Sequence, residues 1–434
     1  MSGQTRPAPG DLLEHLFRHQ SGRMVAHLTR LLGPAHIDLA EEAVQDTMIR
    51  ALQSWPYHGV PENPPAWLFR VAHNLAIDAI RRHRMMGEKA EAMVAELSRS
   101  SAGMPDHPEI EEQLRDDELR MIVMCCHPEI PRESRAALSL KTVGGFSVRE
   151  IARAFLAEDA AIAQRLARAK RQIRDQRLTL DPPRGPEMKP RLDSVLEVIY
   201  LIFNEGYAAH EGEDLIRTDL CFEALRLASL VAASSIATPG AQALMALLAF
   251  QAARLPARVD QSGDLVLFEQ QDRARWDQRL IQAGFRHFDR SMAGDEVSIY
   301  HAQAAIAATY AAPGPIDWGM ILRLYDELLE MYPSPVAELN RAVAMAKSGR
   351  PAEALAELDR LEKNPQLRDY YLMPAARGHL LLELGRREEA AASFRQSIEC
   401  SCSEPERRFL RASWRNAKID RTRRTSDPSG PGVS

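Results

Sequence analysis

Five cysteines in 434 residues are too few, and odd in number, for a disulfide framework. No run of about 18 apolar residues occurs, and the opening MSGQTRPAPG lacks the apolar core of a signal peptide. The sequence is therefore expected neither to be secreted nor to contact a membrane, with the cytoplasm as its default place. Strand-type alternation is scarce, and the short apolar run Val266–Phe268 sits between helical patterns. The phosphate loop of nucleotide hydrolases, HExxH and GxSxG are all missing, and no titratable cluster suggests an enzyme. Cys125-Cys126-His127 resembles a metal fragment, but adjacent cysteines have the wrong spacing for a zinc pair and no second pair follows. These cysteines, and Cys400 with Cys402, read as structural. No metal or cofactor is expected.

What is present is helix. Apolar residues recur at helical spacing almost throughout, predicting an all-α protein. The net charge of −5 points to no partner, but Arg132 to Arg177 carries 11 Lys and Arg against 5 Asp and Glu. A basic module in a mildly acidic chain suggests nucleic acid at one place. The chain is expected to divide into a disordered 1–10, a helical block 11–90, a polar linker 91–109, a second block 110–180, a proline-rich linker 181–190, a helical extension 191–418 and a disordered tail 419–434. Within the extension, LNRAVAMAKSGRPAEALAELDRL and PAARGHLLLELGRREEAAASFRQSI align with Gly349 on Gly385 and Ala354 on Ala390. The offset is 36 residues, close to the 34 of a tetratricopeptide (TPR) repeat. This predicts TPR-like repeats near 336–400.

Three segments carry candidate chemistry. In the first, Asp38 with Glu41 has the spacing of a capping box, Ala40, Val44, Met48 and Ala51 share one face, and Glu41, Glu42, Gln45 and Asp46 fall on the exposed side. In the second, Asn63 caps and Pro64 opens a helix buried through Leu68, Val71, Ala72, Leu75 and Ala79. Its remaining Trp67, Arg70, His73, Asn74, Arg81 and Arg82 interleave rings, amides and cations, which suits a strand of unstacked bases. In the third, Ser147 and Glu150 form a capping box. A break near Leu156 leads to Asp159 as the next cap, and Ala163, Leu166, Ala167 and Ile173 pack while Gln164, Arg165, Arg168 and Arg171 point outward. That is helix-turn-helix geometry, in which the second helix reads base edges and later cations hold phosphates. Each segment alone also fits an ordinary structural helix.

Their order adds specificity. DLAEEAVQDTMIRALQSW followed by PPAWLFRVAHNLAIDAIRRHRMMG resembles region 2 of extracytoplasmic-function RNA polymerase sigma factors. ALSLKTVGGFSVREIARAFLAEDAAIAQRLARAKRQIR resembles their region 4, and the later segments CCHPEIPRESRAALSLKTVGGFS, YLIFNEGYAAHEGEDLIRTDLCFEALRLASL and SPVAELNRAVA resemble the subgroup with a TPR-like C-terminal extension. The resemblance implies a partnership with core RNA polymerase, through its β′ clamp helices and β flap, and with promoter DNA. It places Leu39, Glu42, Gln45, Asp46 and Met48 on the clamp-docking surface, and the loop Ser54–Ala66 on a flipped base of the −10 element. Trp67, Arg70, Asn74, Asp78, Arg81 and Arg82 fall on the melted −10 strand. Ser147, Arg149, Gln164, Arg165, Arg168, Lys170 and Arg171 fall on the −35 element. The extension is expected to modulate activity and to take a protein or peptide partner on a concave surface. Two other readings stay open: a helix-turn-helix regulator with a TPR-like sensor, which leaves the first 90 residues unexplained, and an enzyme or scaffold built on the helical extension.

Overall fold

The computed structural model describes residues 9–82, 95, 97, 108–155, 157–207, 216–400 and 402–418. Residues 1–8, the expected disordered tail 419–434 and Leu156, together with most of the 91–109 linker, lie outside these residues; Pro9 and Gly10, expected in the disordered N-terminus, open a helix. Among them the chain forms 18 α-helices. The apolar run at Val266–Phe268 is no strand: Phe268–Gln270 is a 3-10 turn, and Val259 meets Leu265 in an isolated bridge.

The chain divides into two compact units, Met1–Ile202 and Phe203–Ser434. The first begins with α1 (Pro9–Leu32), α2 (Ile37–His58) and α3 (Pro64–Arg82). Met24, Leu28, Ile37, Val44, Leu68 and Ile80 make its centre. The Asn63 side chain accepts from the Ala66 N–H at 3.1 Å, so α3 starts where the Asn-Pro pair predicts.

The second sequence block packs on the first. It comprises α4 (Pro108–Cys125), α5 (Arg132–Thr142), α6 (Val148–Ala154) and α7 (Asp159–Asp175). Helix α4 lies against α1 and buries Asp117 there, hydrogen-bonded to His27 Nδ1 at 2.8 Å and paired in charge with Arg30, whose Nε lies 2.8 Å away. Gly22 makes a closer approach possible: a Cβ there would sit 1.8 Å from the carbonyl oxygen of Val143. Cys125 and Cys126 are fully buried and unpaired, and the Cys125 thiol lies 3.3 Å from Thr142 Oγ1.

The unit continues past the proline-rich stretch into α8 (Met188–Tyr207), which crosses the division between the units. Side chains explain the difference from the expected boundary. Arg135 donates to Ser194 Oγ at 2.7 Å, Arg132 pairs with Glu197, and Arg191 reaches the Val123 carbonyl at 3.3 Å. Four prolines mark a bend here rather than the end of a packed body.

The second unit is a succession of antiparallel helices: α9 (Thr218–Ala232), α10 (Pro239–Ala252), α11 (Gln278–Ser291), α12 (Ile299–Ala311) and α13 (Trp318–Met331), then α14 (Pro335–Lys347), α15 (Pro351–Leu361), α16 (Leu372–Glu383), α17 (Arg387–Glu399) and α18 (Glu404–Lys418). At and within α9 the polar side chains form local ion pairs, Arg217 with Asp219 at 2.9 Å and Arg226 with Glu223 at 2.8 Å. The two aligned repeats become the hairpins α14–α15 and α16–α17. Gly349 and Gly385 turn each hairpin with positive φ, 93° and 77°. Equivalent positions repeat the same contact: Arg341 donates to Glu357, and Arg377, 36 residues on, donates to Ser393. Lys347 and Glu383, also equivalent, pair with each other at 3.0 Å.

Candidate nucleic-acid and partner interfaces

Helix α2 starts one residue before the expected cap. Its N-cap is His36, which makes no side-chain cap, and Asp38 lies inside the first turn. The Asp38 carboxylate instead accepts from Lys170 at 2.8 Å and from Arg174 at 2.9 Å, both on α7. Glu41, expected among the exposed groups, is only 8% exposed and takes Lys170 at 2.9 Å. Burial disfavours the Lys170 ammonium, yet Glu41 and Asp38 together hold its pKa above the ordinary lysine value.

Of the expected docking residues, Glu42 and Gln45 are exposed, Asp46 and Met48 half-buried, and Leu39 buried. Ile49 and Leu52, about 50% and 52% exposed, continue the open surface one and two turns beyond Gln45. Sequence reasoning passed over both. Their signal is a helix with more apolar positions than one buried stripe needs.

On α3, Arg70, Asn74, Asp78 and Arg81 are exposed along one face at helical spacing. Trp67 is half-buried with its ring edge-on to Trp55, centroids 5.5 Å apart. The Arg82 backbone closes the helix, and its side chain lies outside the described residues. His73 does not join this face. It is fully buried, 5.3 Å from the His27 ring, and burial, with His27 and then Arg30, drives its pKa down to about 4. The expected loop Ser54–Ala66 is shorter in the structure, since α2 runs to His58 and α3 starts at Pro64; Tyr57 in the last turn of α2 is 86% exposed and Val60 in the loop 57%, so this end of α2 and the loop present apolar groups to solvent.

The third segment forms α6, a turn and α7. The Ser147–Glu150 capping box is present in both directions, at 3.2 and 2.8 Å. Asp159 is not the cap of α7: Glu158 precedes the helix without a side-chain cap. The packed face is Ile162, Leu166, Ala169 and Ile173, whereas Ala163 and Ala167, expected inside, are exposed beside Gln164, Arg168 and Arg171. Ser147 and Arg149 are exposed as well, and Arg165 is half-buried. Small alanines between long polar side chains let a helix backbone come close to a groove.

Lys170, grouped by sequence with the outward cations, is thus directed onto α2. The helix expected to read DNA and the helix expected to dock on polymerase are held together by three short ion pairs. Among the described residues no group of three His, Cys, Asp or Glu side chains could hold a metal, and no helix is long and apolar enough to cross a membrane.

Comparison with known proteins agrees with this layout. The model for sigma-70 region 2 matches residues 16–85, and that for sigma-70 region 4 matches residues 120–173. A family of unknown function, DUF6596, matches residues 191–292. The chain is 39% identical over 380 residues to the uncharacterized protein R00370 of Rhizobium meliloti, covering 87% of this chain and 89% of that one. It is 29% identical over 136 residues to the ECF RNA polymerase sigma factor EcfG of Rhodopseudomonas palustris, 31% of this chain and 70% of that one. With SigL of Mycobacterium tuberculosis, also an ECF RNA polymerase sigma factor, identity is 28% over 173 residues, 38% of this chain and 89% of the relative. A region 2 bundle with a region 4 helix-turn-helix defines a transcription initiation factor of the sigma-70 type. The chain belongs to the extracytoplasmic-function sigma factors, carrying in addition a large helical C-terminal extension.

Proposed function

We propose that this sigma factor joins core RNA polymerase through the open face of α2, with Glu42, Gln45, Asp46 and Met48 as first contacts and Ile49 and Leu52 extending them. Leu39 supports that face from beneath. The stripe Arg70, Asn74, Asp78 and Arg81, with Trp67 and Arg82, meets the melted −10 strand, while the exposed loop before α3 receives an extruded base. Helix α7 enters the major groove at the −35 element, Gln164 and Arg168 reading base edges and Ser147, Arg149, Arg165 and Arg171 fixing phosphates. The factor works in the cytoplasm by binding, with no covalent step of its own. The single observation carrying this reading is that Glu42, Gln45, Arg70, Asn74, Asp78, Arg81, Gln164 and Arg168 lie exposed on the α2, α3 and α7 segments of two matched sigma regions.

Elements centred near −10 and −35 lie roughly 80 Å apart on a duplex rising about 3.4 Å per base pair. Lys170 cannot hold Asp38 and serve the −35 element together. Promoter binding therefore requires α7 to leave α2, after which Lys170 joins the phosphate contacts. The helical hairpins of the extension are TPR-like in repeat length and turn, and they modulate this activity through a protein or peptide partner.

Run-off transcription by core polymerase on a pool of promoter fragments, with and without the chain, tests the reading. Discrete transcripts that depend on the chain are expected. Binding to duplex DNA without core affinity would instead favour a helix-turn-helix regulator.

A further inference from the structure

The second unit holds a cavity of about 350 Å³ that transcription initiation does not use. That is the size of a small ligand site. Phe268, Tyr310 and Trp318 supply aromatic lining, their rings meeting edge to face at 4.8 and 5.8 Å. Leu358 and Leu380 add aliphatic surface from the first and second hairpins. Three charged residues also line it. Lys347 Nζ bonds Glu269 and Glu383, each at 3.0 Å, and all three side chains keep part of their surface in solvent. His379 lines the cavity too, and burial, then Lys347, depress its pKa, so it adds no charge at neutral pH. Arg254 stacks on Phe268, 4.3 Å from the ring centroid, but is not part of the lining. Two carboxylates thus share one ammonium, leaving the lining one negative charge in excess.

We propose that this cavity binds a small amphiphile with a protonated amine head and an apolar body of about the bulk of a phenylalkyl group. The amine pairs with the carboxylate charge that Lys347 leaves uncompensated. A carboxylate head would have to displace Glu269 or Glu383 from Lys347, and a neutral head gains neither interaction. The aromatic lining accepts the body and adds attraction for a cation at its ring faces. His379 Nε2 is buried without a hydrogen-bond partner among the described residues, so a ligand group reaching it would satisfy it. The site stands on the cavity alone and does not depend on how the chain meets DNA.

Calorimetric titration of the full chain with phenylbutylamine, phenylbutyrate and phenylbutanol is the test. The amine should bind about tenfold more tightly than the other two, and its advantage should shrink as salt rises. Glu383→Gln makes the lining neutral and should erase the preference. Glu269→Gln combined with Glu383→Gln leaves Lys347 in excess and should reverse the order toward phenylbutyrate. Ala376→Phe should block all three by filling the cavity, with the thermal melt recorded to establish folding. Binding of none of the probes, or acid bound as tightly as amine by the native chain, would overturn the proposal. So would an unchanged preference in Glu383→Gln, whose partly exposed side chain makes it the variant safest for folding.

Discussion

The seam of the first unit and the repeats of the second use polar side chains in opposite ways. In the first, the polar contacts joining the region 2 and region 4 blocks link residues far apart in sequence: the His27–Asp117 hydrogen bond, and the ion pairs of Lys170 with Asp38 and Glu41. They bind together two blocks that the proposed promoter contacts require to separate. In the second, Arg341 with Glu357, Arg377 with Ser393 and Lys347 with Glu383 join neighbouring helices or consecutive hairpins. Within the repeats these short-range bonds fix a stack, and longer links, Lys347 with Glu269 and Arg408 with Asp264, tie the stack to earlier helices and loops of the same unit. The contrast predicts a first unit that opens along one seam and a second that behaves as one piece.

The largest way to break the contrast lies at the seam. Gly22→Ala places a methyl group 1.8 Å from the Val143 oxygen, with backbone on both sides and no flexible side chain to yield. A loss of about 3 kcal/mol or more is expected, as for severe overpacking, read as a lower denaturant midpoint. Gly378→Ala in the second unit meets Phe394 at 2.8 Å, a ring that has some room to tilt. It should cost less, about 1–2 kcal/mol. Its equivalent one repeat earlier, Ala342, already carries the methyl group beside the smaller Leu358. Equal losses at Gly22 and Gly378 would erase the distinction between seam and stack.

These examples show what was legible in the sequence. The Ser147–Glu150 box and the Asn63 cap were readable because both partners lie within one turn. Gly349 and Gly385 were readable because positive φ leaves few choices of residue. Asp38 and Asp159 have the chemistry of caps but do not cap: an aspartate three residues before a glutamate, as Asp38 is, looks the same whether its partner is local or distant, and at Asp159 the helix begins on the aspartate itself, with Glu158 in the cap position. Glu41 was misplaced for that reason: its partner Lys170 is 129 residues away. The inner face of α7 was misassigned because its alanines sit on both sides, leaving little amphipathic contrast. Ile49 and Leu52 needed the structure to show that nothing covers them.

The next effect concerns pH. His73 is neutral and buried with a pKa of about 4, against 6.5 when unfolded. Below 6.5 the unfolded chain takes up a proton that the folded chain refuses, so stability falls as pH drops and levels off below 4. The full loss is up to about 3 kcal/mol. His73→Leu should flatten that slope between pH 6.5 and 4 in denaturation curves of the full chain. An unchanged slope would show that His73 is solvated in solution.

The seam itself is weaker. Lys170 and Glu41 are 13% and 11% exposed at their side chains, so their pair is partly desolvated, whereas Asp38 at 59% is well screened. A double-mutant cycle of Lys170→Met with Glu41→Gln should give a coupling of about 1–2 kcal/mol, and Arg174→Ala with Asp38→Asn under about 1 kcal/mol. Glu41→Gln and Asp38→Asn leave every cation of α7 in place. They should therefore raise core-polymerase affinity a few-fold by freeing α2, an effect absent if the two helices part at no cost. Reduced core affinity would instead assign both carboxylates to the docking surface.

The smallest effect separates the two repeats. Arg341 is held by Asp326 at 2.6 Å and by both oxygens of Glu357, while Arg377 has Asp359 at 2.8 Å and the Ser393 hydroxyl. Two carboxylates keep the Arg341 guanidinium charged against the cost of burial, raising its pKa. The exposed carboxylates Asp326 and Asp359 are screened by solvent, so Arg341→Ala should cost no more than about 1 kcal/mol and Arg377→Ala about half of that. Because the stack unfolds as neighbours, either loss should lower the melting temperature of the second unit and leave the His73 pH slope of the first unchanged. Movement of both together would mean that the units unfold as one, and the contrast between seam and stack would then describe geometry without describing stability.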